Sequence, residues 1–492
     1  MRVLFASSEV FPLIKTGGLA DVSAALPVAL AAAGMDMRIL MPGYPDALAQ
    51  AGELRELGNL GDPLGVGHES TLVEGRLPGS DVPVLMIACP ALYDRPDGPY
   101  HDGAGQDYAD NAVRFGLLSR VAAQCAMDGC PDGWRPDVLH ANDWQTGLAP
   151  AYLHAWNAKD AAATLFTIHN IAYQGRFPKE AVPQLGFPWE MFVIDGFEYY
   201  GTLSFLKAGL FYSDTLSTVS RRYAKEIQTA PFGGGLEGVL ANRAADLTGI
   251  VNGADYEVWN PANDGYLPHR YGPKTVETGK AANKAALQAE MGLTVDPDAP
   301  LVIIVSRLND IKGMDLVLGV LPALLRLGGQ LAVVGTGDKS LEAGFLAASR
   351  HNPGQVAVSI GYFESQAHRL LAAGDILLMP SRYEPCGLTQ LYALRYGTVP
   401  VVHATGGLAD TVVDTTYDTL VNRTATGFVF EHANVGALQW SIERAVSLYR
   451  NKRDWRRVQT NGLARDFGWG RSAEQYIALY RTLAPPVADQ NA

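Results

Sequence analysis

The sequence predicts an α/β protein built from two Rossmann-like, doubly wound domains, and three observations point there. A chain of 492 residues exceeds what one hydrophobic core supports, since single cores stop growing at roughly 250–300 residues. Short apolar runs, each followed by a glycine-containing turn and then by helical periodicity, mark β-α units of a buried parallel sheet. The rhythm occurs twice, once in each half of the chain.

In the first half the runs are 3–7, 37–41, 82–88, 138–141 and 164–169, and in the second 301–306, 330–335, 356–361, 375–380 and 399–404. A boundary is predicted near residues 251–261, where Asn252-Gly253 and Asn260-Pro261 supply turn chemistry. The expected division is a first Rossmann-like domain over 1–252 and a second over 253–466. A C-terminal helix over 467–484 would pack back on the first domain. Residues 485–492, with Pro485-Pro486, read as a disordered tail.

Composition excludes several classes. The balance of 39 basic and 51 acidic residues, a formal charge of −12, argues against nucleic acid or an anionic membrane as a partner, so a bound anion needs a local basic pocket. No apolar stretch reaches the 18 or so residues of a membrane span. The opening run 1–7 reads as a strand rather than a signal peptide, and the expected location is cytoplasmic. Cys89, Cys125, Cys130 and Cys386 include no Cys-x-x-Cys pair, which suggests neither a zinc ribbon nor a disulfide framework. Asp296 and Asp298 form an Asp-x-Asp in a proline-bearing connector before a strand, read as a loop and not a metal site. Neither metal nor cofactor is expected.

Chemistry-bearing residues cluster where predicted strands end. Lys15 precedes Gly17 and Gly18, a turn that opens a helix. The pair is either a plain strand-to-helix turn or a place where backbone N–H groups and the helix dipole receive a phosphate. The hexapeptide Thr16-Gly17-Gly18-Leu19-Ala20-Asp21 recurs as Thr405-Gly406-Gly407-Leu408-Ala409-Asp410, which favours the second reading. Arg307 and Lys312 follow the run 301–306 and are either solvated loop charges or paired cations for a diphosphate, with Asp310 between them lowering the potential. His169 and Asn170 leave the run 164–169, where a ring and an amide could hold sugar hydroxyls or serve only structure. Glu384 leaves the run 375–380 and is either a bidentate acceptor for adjacent hydroxyls or a helix-capping acid, with Gly387 opening the next helix. Asp143 and Trp144 place a carboxylate beside an aromatic face, a sugar-site pairing or an ordinary loop acid beside a packed ring.

These residues together resemble the bacterial glycogen synthases and plant starch synthases, over nearly the whole chain from Val3 to about Tyr480. The resemblance rests on residues 15–22, on Thr167-Ile168-His169-Asn170, on 205–210, on Gly235-Leu236-Glu237-Gly238, on Ile250-Val251-Asn252-Gly253 and on 384–396. It implies two Rossmann-like domains facing a central cleft, the GT-B glycosyltransferase fold, with an acceptor-side first domain and a nucleotide-sugar-side second domain. It also implies metal-independent transfer of glucose from ADP-glucose to the non-reducing end of an α-1,4-glucan, with retention of configuration.

By the resemblance, Lys15, Arg307 and Lys312 would hold the ADP phosphates, helped by the helix that starts near Gly407, and Gly17, Gly18, Thr405, Gly406 and Gly407 would belong to the substrate-binding set. His169 and Glu384 would hold the glucose, with Asn170 among the substrate-binding residues, Asp143 would lie near the reacting centre or the acceptor, and Tyr362 and Tyr392 would surround the adenosine. Asp21, Cys386, Gly387 and Leu388 complete the substrate-binding set. The chain departs from the family in two places: it has Asn142 where His is usual before the Asp-Trp pair, and Asn309-Asp310-Ile311 where Thr-x-Gln is usual. The oligomeric state is left unassigned.

Overall fold

A computed structural model describes residues 1–361 and 363–484. The chain forms two compact units, the first comprising Met1–Gly253 with the C-terminal segment from Trp469 and the second Ala254–Gly468.

Unit 1 is built on a nine-stranded sheet. Its strands are β1 (Arg2–Ala6), β2 (Asp36–Pro42), β3 (Arg55–Gly61), β4 (Ser70–Arg76), β5 (Pro83–Ala88), β6 (Val138–Asn142) and β7 (Ala163–Ile168). A separate small sheet holds β8 (Arg176–Pro178), β9 (Glu198–Tyr199) and β10 (Thr202–Ser204), after which β11 (Thr215–Thr218) and β12 (Leu247–Gly249) complete the large one. The order is β12-β11-β7-β6-β1-β2-β5-β4-β3. A wholly parallel sheet is the sequence expectation, and it fails at one edge, where β4 runs antiparallel to both β5 and β3. The cause is local: only a short connector joins β4 to β5, and a parallel pairing needs a crossover of a dozen or more residues.

Unit 2 has a six-stranded, all-parallel sheet of β13 (Leu301–Val305), β14 (Gln330–Gly335), β15 (Val356–Ile360), β16 (Ile376–Met379), β17 (Val399–His403) and β18 (Phe428–Phe430). Its order is β15-β14-β13-β16-β17-β18, so the chain reverses direction between β13 and β16. In unit 1 the reversal falls between β1 and β6, which pair in register Val3↔Val138 through Ala6↔Ala141. Open α/β sheets bind ligands outside the carboxyl ends of the strands at such a switch point.

The central strands are apolar because helices cover both faces; Val3, Leu4, Phe5 and Ala6, like Leu301 to Ile304, are fully buried. Polar ties hold the strand ends. Asp375, just before β16, accepts from the Leu301 amide at 2.9 Å and from Lys284 Nζ at 2.8 Å, which pins β13 beside β16. The last helix, Trp469–Leu483, packs along Gly18–Ala32 within unit 1. Its Tyr480 hydroxyl lies 2.8 Å from His140 Nδ1 in the core. This helix begins at Trp469 rather than at 467; the Phe467 carbonyl, which an earlier start would need as an acceptor, is taken by the Ala254 amide at 2.7 Å. No described helix is long and apolar enough to cross a membrane.

Candidate active site

The switch point of unit 1 gathers residues from the exits of β1, β6 and β7. Asp143 follows β6 with φ 56° and ψ −178°, a backbone region almost confined to glycine and costing about 1–3 kcal/mol. The strain is held by hydrogen bonds. Its amide donates to Thr167 at 2.9 Å, and its Oδ1 accepts from the backbone N–H of His169 at 2.7 Å and of Asn170 at 3.3 Å. Burial pushes the carboxyl up to about 7, although those two N–H groups act in the opposite direction. The His169 ring, with Nε2 2.9 Å from Asn142 Oδ1, is lowered by burial to about 3 and stays neutral near pH 7.

At the exit of β1 the glycine turn has polar partners within the protein. The Thr16 and Gly17 N–H groups are not open, since both donate to Glu9 Oε2, at 2.5 and 3.0 Å. Glu9 Oε1 accepts from the Tyr100 hydroxyl at 2.6 Å. Lys15 is not a bare charge either, because its Nζ sits 2.7 Å from Asp21 Oδ1. Sequence reasoning missed Glu9, although it stands in the segment just beyond β1, the kind of strand exit that singled out Asp143 and Glu384.

At the switch point of unit 2, Arg307 and Lys312 follow β13 while Ser381 and Glu384 follow β16. Glu384 is buried, and its Oε2 accepts from Lys312 Nζ at 2.6 Å and from Ser381 Oγ at 3.0 Å. Sequence reasoning assigns Lys312 to a phosphate and Glu384 to a sugar; the fold brings them into one ion pair. Arg307 is exposed, and its guanidinium has no hydrogen-bond or ion-pair partner among the described residues. The backbone carbonyl of Asp310 accepts from Arg382, whose guanidinium also grips Asp315 through two 2.7 Å bonds. The Tyr392 ring stacks on Trp259 at 4.1 Å, and Trp259 stacks in turn on His368 at 3.8 Å. Trp259 was not singled out from sequence, and Tyr362 lies outside the described residues. Cys386 is buried, Gly387 has φ 70°, and Leu388 precedes the helix Thr389–Arg395.

The repeated hexapeptide has two different structural duties. A Cβ added at Gly17 or Gly18 would meet nothing within 4 Å. At Gly406 it would run into the Glu384 carbonyl, and at Gly407 into that of Cys386. The first pair leaves room beside a 15-residue helix, Gly18–Ala32; the second lets the short turn Gly406–Thr411 lie against the Glu384 loop. Gly407→Ala should therefore destabilise unit 2 by about 1–3 kcal/mol, while Gly18→Ala should leave the melting temperature unchanged or slightly raised. Thermal unfolding of the two variants checks the contrast. Among the described residues no group of three or more His, Cys, Asp or Glu side chains could hold a metal ion.

Comparison with known proteins bears on the same architecture. Residues 2–242 match the family model of the starch synthase catalytic domain, and residues 291–461 that of glycosyl transferases group 1. The chain is 67% identical to a glycogen synthase of Paramagnetospirillum magneticum over 98% of both chains. It is 51% identical to one of Nitrosomonas eutropha over 98% of this chain and 96% of the relative. The catalytic domain of starch synthase IV from Arabidopsis thaliana, solved bound to ADP and acarbose, superposes with a TM-score of 0.86 at 30% identity, covering 98% and 99% of the two chains. The sucrose-phosphate synthase of Thermosynechococcus elongatus, at 18% identity and a TM-score of 0.58, shares the fold alone. With two Rossmann-like units, candidate residues at the switch point of each, and these full-length matches, the chain belongs to the glycogen and starch synthase family of GT-B glycosyltransferases.

Proposed function

We propose that the protein transfers glucose from ADP-glucose to the non-reducing end of an α-1,4-glucan, with unit 1 serving the acceptor and unit 2 the nucleotide sugar. The observation that carries the residue roles is the coincidence of candidates with topology. Asp143, His169 and Lys15 follow strands at or next to the reversal of unit 1, and Arg307, Lys312 and Glu384 follow the two strands at the reversal of unit 2. The starch synthase solved with ADP and acarbose supports the choice of ligands by likeness.

In this reading Arg307, Lys312 and Lys15 neutralise the diphosphate as its charge grows, with Gly17, Gly18 and Gly407 close to it, while Tyr392 flanks the adenosine. Glu384, His169 and Asn170 hold the glucose, and Asp143 stands near the reacting centre. Retention by double displacement would need a carboxylate nucleophile. Asp143 Oδ1 is engaged by two backbone N–H groups and Glu384 by Lys312 and Ser381, which favours front-face attack. The bond from the anomeric carbon to the leaving diphosphate breaks as the acceptor hydroxyl adds on the same face, and that hydroxyl's proton passes to a phosphate oxygen. A cytoplasmic location accords with four cysteines that form no disulfide.

The test is nucleotide release from ADP-glucose and from UDP-glucose, with and without glycogen and in the presence of a chelator. The expected result is glycogen-dependent ADP release that survives the chelator. Release from UDP-glucose alone would overturn the donor assignment, and glycogen binding without release from either donor would replace the enzyme reading with a glucan-binding one.

A further inference from the structure

We infer that Asn142 is a positioning residue that fixes the neutral Nε2–H tautomer of His169 and so leaves the ring's Nδ1 as a hydrogen-bond acceptor for a sugar hydroxyl. The argument is one of donors and acceptors. The Asn142 amide nitrogen lies 3.1 Å from the Ala6 carbonyl and 3.2 Å from the His140 carbonyl. Both of its N–H groups are therefore spent, and the reverse orientation of the amide would press three oxygens together. Its Oδ1 can only accept, so His169 Nε2, 2.9 Å away, must carry the proton. In a neutral imidazole the other nitrogen is then the lone pair. Nδ1 has no hydrogen-bond partner among the described residues, and the ring is half-buried.

Adjacent residues thus hold His169 at two points, Asn142 at the ring and Asp143 at the backbone N–H. The chemistry explains why asparagine suits the position. Leucine could not accept, aspartate could not donate to the two carbonyls, and an imidazole offers one donor and one acceptor where two donors and an acceptor are used. Because Ala6 ends β1 and His169 follows β7, the amide also ties together three strand exits at the reversal of unit 1. The part played by the sugar rests on the proposed placement of His169 at the glucose.

The experiment uses the full chain labelled with 15N-histidine, with His169→Gln to identify the resonances, and reads the tautomer from long-range 15N–1H correlations. The wild type should show His169 neutral and protonated at Nε2. Asn142→Ala should shift the ring toward the Nδ1–H form, whereas Asn142→Asp, which keeps the acceptor, should retain Nε2–H. In parallel, kcat/KM for the donor should fall about tenfold in Asn142→Ala, the scale of one hydrogen bond, and recover in part in Asn142→Asp. A wild-type Nδ1–H ring overturns the inference whatever the Asn142 variants do. A tautomer that shifts in Asn142→Ala with no change in kcat/KM overturns the sugar contact alone, and the absence of glucosyl transfer by the wild type would instead count against the proposed function.

Discussion

Arg307→Ala and Lys312→Ala are each expected to lower turnover by about a hundredfold or more, the scale for removing a partner of charge that develops in a transition state. The two should differ in stability. Arg307 is exposed and unpaired among the described residues, so its removal should leave the melting temperature unchanged and report only on catalysis. Lys312 holds a buried carboxylate at 2.6 Å, and its loss leaves Glu384 with Ser381 as its remaining side-chain partner. Taking one member from such a pair destabilises because the other charge remains desolvated. Lys312→Ala should therefore melt earlier as well as turn over more slowly. Near-normal turnover in both variants would remove the diphosphate role, whatever their stability.

Asp143→Asn should separate stability from activity in opposite directions. The folded carboxyl titrates near 7, against an ordinary value of 3.8. Below pH 3.8 the group is protonated in both states and costs nothing. Between the two values the unfolded chain gives up the proton while the folded chain keeps it, so stability falls as pH rises, and the full penalty is present above about pH 7. A carboxyl displaced that far costs the fold at most about 4 kcal/mol. Asparagine can keep the Oδ1 acceptor for the His169 and Asn170 N–H groups and carries no charge. The variant should therefore gain stability over the wild type as pH is raised from 4 to 8, while turnover drops about tenfold or more. A stability difference independent of pH would contradict the raised pKa, and unchanged turnover would move Asp143 away from the reacting centre.

Much of the architecture was legible because buried parallel strands are written as unbroken apolar runs. All ten predicted runs coincide with strands, from β1 to β17, to within a few residues at each end. The strands that were not anticipated lack that signal. Residues 55–61, Arg-Glu-Leu-Gly-Asn-Leu-Gly, include no buried residue, and β12 and β18 are three residues long; such segments become strands only because a neighbour offers hydrogen bonds. The candidate site divides in the same way. Strand exits followed by polar residues pointed to Asp143, His169, Arg307 and Glu384. Partnerships were hidden, since Glu9 reaches Thr16 and Gly17 through a loop and Lys312 meets a carboxylate 72 positions away. The departure at Asn142 was visible as a substitution, but its three hydrogen bonds link β1, β6 and the end of β7, a neighbourhood that only the sheet order creates.

The last helix sets a timetable for synthesis. Tyr476 and Tyr480 are fully buried in the core of unit 1, and Ser472 bonds the Val251 carbonyl at 2.7 Å, yet all three emerge from the ribosome after the whole of unit 2. Domains ordinarily form in the order in which they are made. Here the nascent chain can finish the interrupted unit, residues 254–468, while the earlier one still lacks part of its core. The half of the protein begun first is the half completed last, and a message cut short anywhere before residue 469 yields a chain whose first unit lacks part of its core.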